Sequence, residues 1–275
     1  MSGVTVTKDN TALIRSQFGI AAPDYATSDV HAKGESLARI VELAAPRHNW
    51  RALDVATGAG HMAAAFAPHV ASVIATDITD EMLMQAARLA AEKKLANMST
   101  AKAEASALPF EDESFDLVCC RLAAHHFPNL GRFVSEVRRV LKKGGRFALV
   151  DNVAPDTKQL AEATPTEIEK ATAAYNAFEK LRDPSHGHAP PPKTWVDLLE
   201  NDGFKIVARE QFGKELDFKS WVTRMRCAPA IVAELERILT NGSQHLRTFL
   251  KPRRDESGAL YFTLQELLLV ADKAA

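Results

Sequence analysis

LDVATGAGH, Leu53 to His61, is the stretch that decides the fold. The apolar run Ala52 to Ala56 reads as a short buried strand, and it stops in glycine-rich sequence. A helix begins near Gly60. Gly58 supplies a tight turn with positive φ, and Gly60 lets the backbone approach a ligand closely. In open α/β sheets, ligands bind outside the carboxyl ends of the strands. Taken alone, Gly58-x-Gly60 is equally a plain strand-to-helix turn, so the flanking sequence must arbitrate.

Working outward, three more short apolar runs read as buried strands: Val73 to Thr76, Phe115 to Cys120 and Arg146 to Val150. Helical periods separate them. Leu37, Ile40, Val41 and Ala44 share one face. Thr79 is placed to N-cap a helix with Asp80 and Glu81 in its first turn, followed by a stripe of Leu83, Ala86, Ala87 and Ala90. Phe133, Val134, Val137, Val140 and Leu141 make another stripe, closed by Lys142, Lys143 and Gly144. Such alternation implies an α/β fold, a parallel sheet with helices on both faces.

After Asp151 the pattern changes. Thr164 to Glu167 is a capping box with Pro165 at the first helical position. HGHAPPPK, His186 to Lys193, reads as a surface connection. Trp195 to Asn201 and Pro229 to Thr240 read as helices, and Phe204 to Phe212 as a strand. Tyr261 to Val270 fits strand or helix, with a strand at the sheet edge preferred.

Composition narrows the function. Of 275 residues, 46% are hydrophobic and 25% charged, which suits a globular chain rather than a disordered one. The formal net charge of −1 offers no global basic excess for gripping nucleic acid. Three cysteines (Cys119, Cys120 and Cys227) suit a reducing compartment. No run is long enough to span a bilayer and the N-terminus lacks a secretory apolar region, so the expected location is cytoplasmic. HExxH and GxSxG are absent, and His186-x-His188 lacks further ligands at a recognisable spacing, so no metal is expected. Cys119 and Cys120 are neighbours in a strand, so their thiols point to opposite faces.

Asp77 ends the second strand, about 20 residues beyond the glycine turn, where an acidic side chain accepts hydrogen bonds from ribose hydroxyls. Two cofactor types fit. A nicotinamide dinucleotide would use Gly58-x-Gly60-x-x-Ala63. S-adenosylmethionine (SAM) would use Asp54 to organise the loop near its amino-acid end, and Asp54 is costly to bury without a task or partners.

LDVATGAGH, VIATDITDEML, AEASALPFEDESFDLVCCRLAAHHF and EVRRVLKKGGRFALVD stand in an order and spacing that resembles the class I SAM-dependent methyltransferases. The similarity is greatest to the ubiquinone/menaquinone-biosynthesis-like small-molecule branch, the methyltransferase type 11 domain. It covers about residues 15–151. QFGIAAPDYATSDVH and LRDPSH are also similar to members of this branch. Ala56 departs from it, since many relatives carry glycine there, and little harm is expected.

The resemblance implies a Rossmann-like, seven-stranded, mostly parallel sheet with an N-terminal lid over residues 1–33. The methyltransferase domain would be residues 34–275, with a SAM-binding half at 34–151 and a substrate-side cap at 152–275. It implies that Asp54, Gly58 and Gly60 shape the methionine end of SAM, that Asp77 binds the ribose, and that Ile78 and Met82 flank the adenine. Glu104 would face the adenine amine, where aspartate is commoner, and Ala105 would offer its backbone amide. Arg121 would face the methyl-donor region.

Methyl transfer from a sulfonium needs near-attack positioning, and a base only when the nucleophile must lose a proton. His125 and His126 follow the fourth strand, and His126 is the favoured substrate-facing base or orienter because histidine titrates near neutral pH. Tyr25, Ser28 and His31 are candidate lid contacts. Arg182, Asp183 and His186, with Trp221, Arg224 and Arg226, are candidates for the substrate pocket. The segment Trp221 to Leu250 is expected to set acceptor choice. The expected partner is a small-molecule substrate rather than nucleic acid or membrane, for a monomer or homodimer. The rival readings are an NAD(P)-dependent oxidoreductase and a non-catalytic SAM-binding module.

Overall fold

The computed structural model describes residues 35–274, together with Leu13. The expected lid contacts Tyr25, Ser28 and His31 lie outside the described residues.

The apolar runs form strands where the sequence places them. β1 (Arg51–Val55), β2 (Ser72–Asp77), β3 (Met98–Lys102), β4 (Phe115–Arg121) and β5 (Leu141–Asn152) run parallel. β6 (Phe204–Asp217), the two-residue β7 (Arg253–Arg254) and β8 (Leu260–Lys273) complete the sheet, with β8 antiparallel to β5, β6 and β7 and so running against the other strands. The order is β3-β2-β1-β4-β5-β8-β6, with β7 beside β8. The path leaves β1 in one direction to β2 and β3 and in the other to β4 and β5. That reversal opens a crevice at the carboxyl ends of β1 and β4.

Both faces of the sheet are covered. α1 (Glu35–Ala44), α2 (His61–Phe66) and α3 (Asp80–Glu92) share a core with Ala52, Val73, Cys119 and Val270. α4 (Leu130–Val140) and α6 (Pro192–Asn201) share another with Leu53, Val118, Cys120 and Leu269. The adjacent cysteines thus lie in opposite cores, as strand alternation requires.

A third core forms the cap. α5 (Pro165–Arg182), α7 (Phe218–Arg224), α8 (Pro229–Asn241) and α9 (Gln244–Leu250) pack over the outer ends of β6 and β8. Phe178 stacks on Trp221 with centroids 5.1 Å apart, and Phe262 meets Trp221 edge-on at 4.8 Å. Each such aromatic pair contributes about 0.5–1.5 kcal/mol beyond its area burial. This cluster fixes α5 and α7 over the carboxyl end of the sheet.

Several local readings shift. The buried stripe of α3 is Met82, Ala86 and Ala90, while Leu83 is half-buried and Ala87 exposed. α4 ends at Val140 and Leu141 already pairs with Phe115, so Lys142 to Gly144 belong to the strand rather than a helix terminus. The three prolines do not exclude helix throughout: Pro192 starts α6, where a missing N–H costs nothing. β6 runs five residues beyond Phe212, paired along β8. The capping box at Thr164 and Glu167 forms with both reciprocal hydrogen bonds.

Candidate functional site

The crevice holds two adjoining chambers. The first is built from the segments that follow β1 to β4: Asp54 to Met62, Asp77 to Met82, Ala103 to Ser106, and Arg121 onward. The glycine turn adopts the expected conformation, with φ +54° at Gly58 and +90° at Gly60. The two glycines serve different purposes. Gly58 and Ala59 line the chamber, and Gly60 does not. A Cβ on Gly60 would stand 2.9 Å from Ala86 Cα, so its bareness admits α3 rather than a ligand. Ala56 also sits at φ +55°, in the left-handed region where a Cβ is strained.

Two buried carboxylates hold this chamber's loops. Asp54 Oδ2 accepts from Thr57 Oγ1 at 2.5 Å and from the Ala63 N–H at 3.0 Å. Cys119 Sγ lies 3.6 Å from its other oxygen. Asp77 Oδ2 accepts the Gly58 N–H at 3.0 Å, and its Oδ1 accepts the Thr79 N–H at 2.9 Å. Burial pushes the Asp54 carboxyl up to about 7 against these donors, and it raises Asp77 as well. Carboxylates kept in such a setting at the mouth of a cavity mark a functional-site candidate.

The other predicted contacts converge on the same chamber. Ile78, Met82, Ala103 and Ala105 give it apolar walls, Glu104 is an exposed rim carboxylate, and Arg121 lies on the β4 side. Ser106 Oγ donates to Glu104 at 2.6 Å. Apolar walls beside one deep carboxylate suit a flat aromatic base joined to a hydroxylated sugar.

After β4 the chain turns at Leu122, whose φ is +52°. The following 3₁₀ turn, Ala124 to His126, buries both histidines. His125 Nδ1 is 2.6 Å from Asp151 Oδ1, and the His125 N–H donates to Asp151 Oδ2 at 2.8 Å. His126 Nδ1 is 3.1 Å from the Ser185 carbonyl, and its Nε2 is 4.0 Å from Asp183. The loop that runs on from LRDPSH docks on this turn, with the Gly187 and His188 N–H groups both donating to the His125 carbonyl.

The second chamber lies beyond the turn. It is bounded by His125, the last turn of α5, the ends of β6 and β8, and α7. It occupies about 670 Å³, open to solvent, and shares Leu122 and His126 with the first. Its walls carry Glu179, Arg182, Asp183, His186, Lys214, Trp221, Arg224 and Glu266. Arg182 stacks on Trp221 at 4.5 Å and donates from Nε to its carbonyl. Lys214 pairs with Glu266 at 3.0 Å. Arg182, Asp183, His186, Trp221 and Arg224 thus lie together on these walls, and Arg226 does not. Among the described residues, no three His, Cys, Asp or Glu side chains are placed to hold a metal ion.

Sequence reasoning missed Asp151, Glu179, Lys214 and Glu266. A signal existed for Asp151 alone. It is the penultimate residue of β5, whose Val150 pairs with Arg121 of β4, so topology places it beside the histidine turn. The other three sit on elements whose sequence carries no motif.

The comparisons agree with this geometry. Residues 53–149 match the family model described as a methyltransferase domain. The chain is 36% identical over 207 residues to the uncharacterised methyltransferase YcgJ of Bacillus subtilis, covering 75% of this chain and 78% of that protein. The crystal structure of YcgJ superposes with a TM-score of 0.78 at 31% identity, over 87% of this chain and 98% of that one. A candidate methyltransferase of Bacillus halodurans superposes with a TM-score of 0.79 at 36% identity, over 88% of this chain and all of that one. The demethylmenaquinone methyltransferase of Thermotoga maritima is 34% identical over 180 residues, 61% of this chain and 76% of that protein. The likeness to oxidoreductases that the glycine turn alone allowed is thereby set aside, and the chain belongs to the SAM-dependent methyltransferase family.

Proposed function

We propose that this protein methylates a small molecule, with SAM in the first chamber and the acceptor in the second. The observation that carries the reading is the wall shared by the two chambers at Leu122 and His126. A donor in the first chamber and an acceptor in the second would therefore adjoin at these two residues. That arrangement suits an in-line displacement, whose barrier falls chiefly through positioning.

In this reading Asp77 takes the ribose hydroxyls, Ile78 and Met82 flank the adenine, and Glu104 and Ala105 meet its edge. Asp54 and Gly58 shape the methionine end, Gly60 acts through the packing of α3, and Arg121 borders the methyl-donor region. When bound, SAM supplies an electrophilic methyl group on a sulfonium. His126 orients the two ligands from the shared wall. Burial and the neighbouring His125 push its ring down to about 4, so it stays neutral at pH 7. Among the described residues, no helix is long and apolar enough to cross a membrane.

The test is parallel calorimetric titration with S-adenosylhomocysteine, SAM and NADPH. Saturable binding of the first two alone is expected. Binding of NADPH alone would overturn the cofactor assignment.

A further inference from the structure

Building on that reading, we propose that His125, held by Asp151, takes the proton from an acceptor hydroxyl or amine in the second chamber, and that Glu179 and Glu266 receive the acceptor's remaining hydrogen-bond donors. The matching acceptor class is a small hydrophilic molecule with several donors, not a prenylated lipid.

Asp151 fixes the His125 tautomer. Its carboxylate accepts the backbone N–H groups of His125 and Asn152, at 2.8 and 2.9 Å, and a carboxylate oxygen faces Nδ1. Nδ1 therefore carries the proton and Nε2 keeps its lone pair, the tautomer assigned from this network. His125 lines the second chamber and not the first.

The neighbouring histidines do not compete. His126 is also protonated on Nδ1, which faces the Ser185 carbonyl, but burial and the neighbouring His125 push its ring down to about 4, so its Nε2 is the weaker base. His186 Nε2 lies 2.8 Å from Asn176 Oδ1, and burial with the nearby histidines pushes that ring down to about 2. The charged and titratable groups around His125 are Asp151 on β5, Glu179 and Asp183 at the end of α5, His126 on its own turn and His186 on the docked loop. Burial lowers its basicity, but the carboxylates outweigh burial and the net shift is upward.

The acceptor's character comes from two oxygens. Glu179 Oε1 and Glu266 Oε2 are buried on the chamber wall with no hydrogen-bond partner. Buried acceptors of this kind call for a donor, and a hydroxyl or ammonium group of a ligand supplies one.

The step balances. The acceptor oxygen or nitrogen forms a bond to the methyl carbon as the carbon–sulfur bond breaks, its electron pair staying on sulfur to leave S-adenosylhomocysteine. The acceptor's proton moves to His125 Nε2. The resulting imidazolium lies against Asp151 until water takes the proton away.

The experiment uses full-length protein saturated with S-adenosylhomocysteine. Absence of that binding in the wild type would count against the cofactor reading alone, independently of the His125 measurements. Nitrogen-15 histidine NMR should show His125 protonated on Nδ1 and titrating above 6.5. Asp151→Asn should lower that value, because the carboxylate that favours the charged ring is gone. A His125 ring that titrates below 6.5, or carries its proton on Nε2, overturns the proposal whatever the turnover. In labelled-methyl transfer from SAM, a catecholamine should be methylated in preference to a short-chain prenylated hydroquinone, and the reverse preference overturns the acceptor class. His125→Gln should cut catecholamine turnover by about a hundredfold or more while S-adenosylhomocysteine affinity stays within about twofold. Asp151→Asn should move the low-pH limb of turnover to lower pH, which a purely structural role would not do. Unchanged turnover in His125→Gln overturns the proton-acceptor assignment.

Discussion

Asp77 accepts the backbone N–H of Gly58 at 3.0 Å, so the carboxylate at the end of β2 fastens the glycine turn at the end of β1. Its other oxygen fastens the turn into α3 through Thr79. One side chain thus sets the spacing of two chamber walls. A carboxylate offers about four lone-pair sites, so these two bonds leave room for a sugar hydroxyl.

Asp77→Ala should therefore lose two things together. Affinity for S-adenosylhomocysteine should fall by about 1–3 kcal/mol, the worth of a charge-assisted hydrogen bond. The melting temperature should also fall, because the Gly58 and Thr79 N–H groups lose their acceptor. Asp77→Asn keeps an oxygen for one of them and should be milder on both counts. Calorimetry and thermal melts read the two effects, and an undiminished affinity in Asp77→Ala would remove the ribose role.

Ala56 and Gly60 predict opposite responses to a single methyl group. Ala56 holds a φ of +55° with a Cβ that the left-handed region disfavours. Ala56→Gly should stabilise the protein by about 1 kcal/mol, seen as a higher urea midpoint at unchanged slope. The expectation of little harm from alanine there misses this backbone cost. Gly60→Ala combines a φ of +90° with a Cβ 2.9 Å from the Ala86 backbone, and should cost about 2 kcal/mol or more.

Most of the sheet was legible because short apolar runs between amphipathic helices have few other readings, and Leu53 to Gly60 with Asp77 located the first chamber. β3, whose MSTAK sequence is half polar, was not read, and β8 lies between β5 and β6 rather than at the expected edge. The second chamber was not legible. Its walls come from five separated segments, and Asp151, Glu179, Lys214 and Glu266 stand in sequence that looks like ordinary strand or helix. The pairing of β5 and β6 with β8, and the docking of the Ser185 to His188 loop onto the His125–His126 turn some 60 residues away in the chain, bring those segments together. The direct passage from α4 into β5 escaped for a related reason. Leu141 continues the helical stripe, yet it pairs with Phe115, and tertiary pairing overrides the local period.

The cysteines separate by burial rather than by sequence neighbourhood. Cys119 and Cys120 are fully buried, and burial pushes both thiols well above their ordinary range. Cys227 is half-buried. Since the thiolate is the reactive form, native protein treated with iodoacetamide at pH 8 should slowly gain one adduct, at Cys227, and unfolded protein three. Peptide mass spectrometry checks the site. Rapid modification of Cys119 or Cys120 would show that the sheet core opens to solvent.

Glu179 links the second chamber to stability. Burial raises its carboxyl from 4.5 to about 7, opposed by Arg182 and His125. A carboxyl whose pKa is higher folded than unfolded holds more protons in the native state. Its contribution to stability therefore falls as pH rises from about 4.5 to 7, and the full cost stands above 7. The shift corresponds to about 3 kcal/mol. Asp54 titrates in the same direction, so the wild-type profile alone does not isolate Glu179. The difference between wild type and Glu179→Gln does. That variant should melt several degrees higher than wild type at pH 8 and show little difference at pH 4.5, with denaturation followed at both. Equal stability at pH 8 would mean that water or a neighbouring cation already compensates the charge. A gain at pH 8 accompanied by loss of catecholamine methylation would identify Glu179 as a group kept at the expense of stability for the ligand it receives.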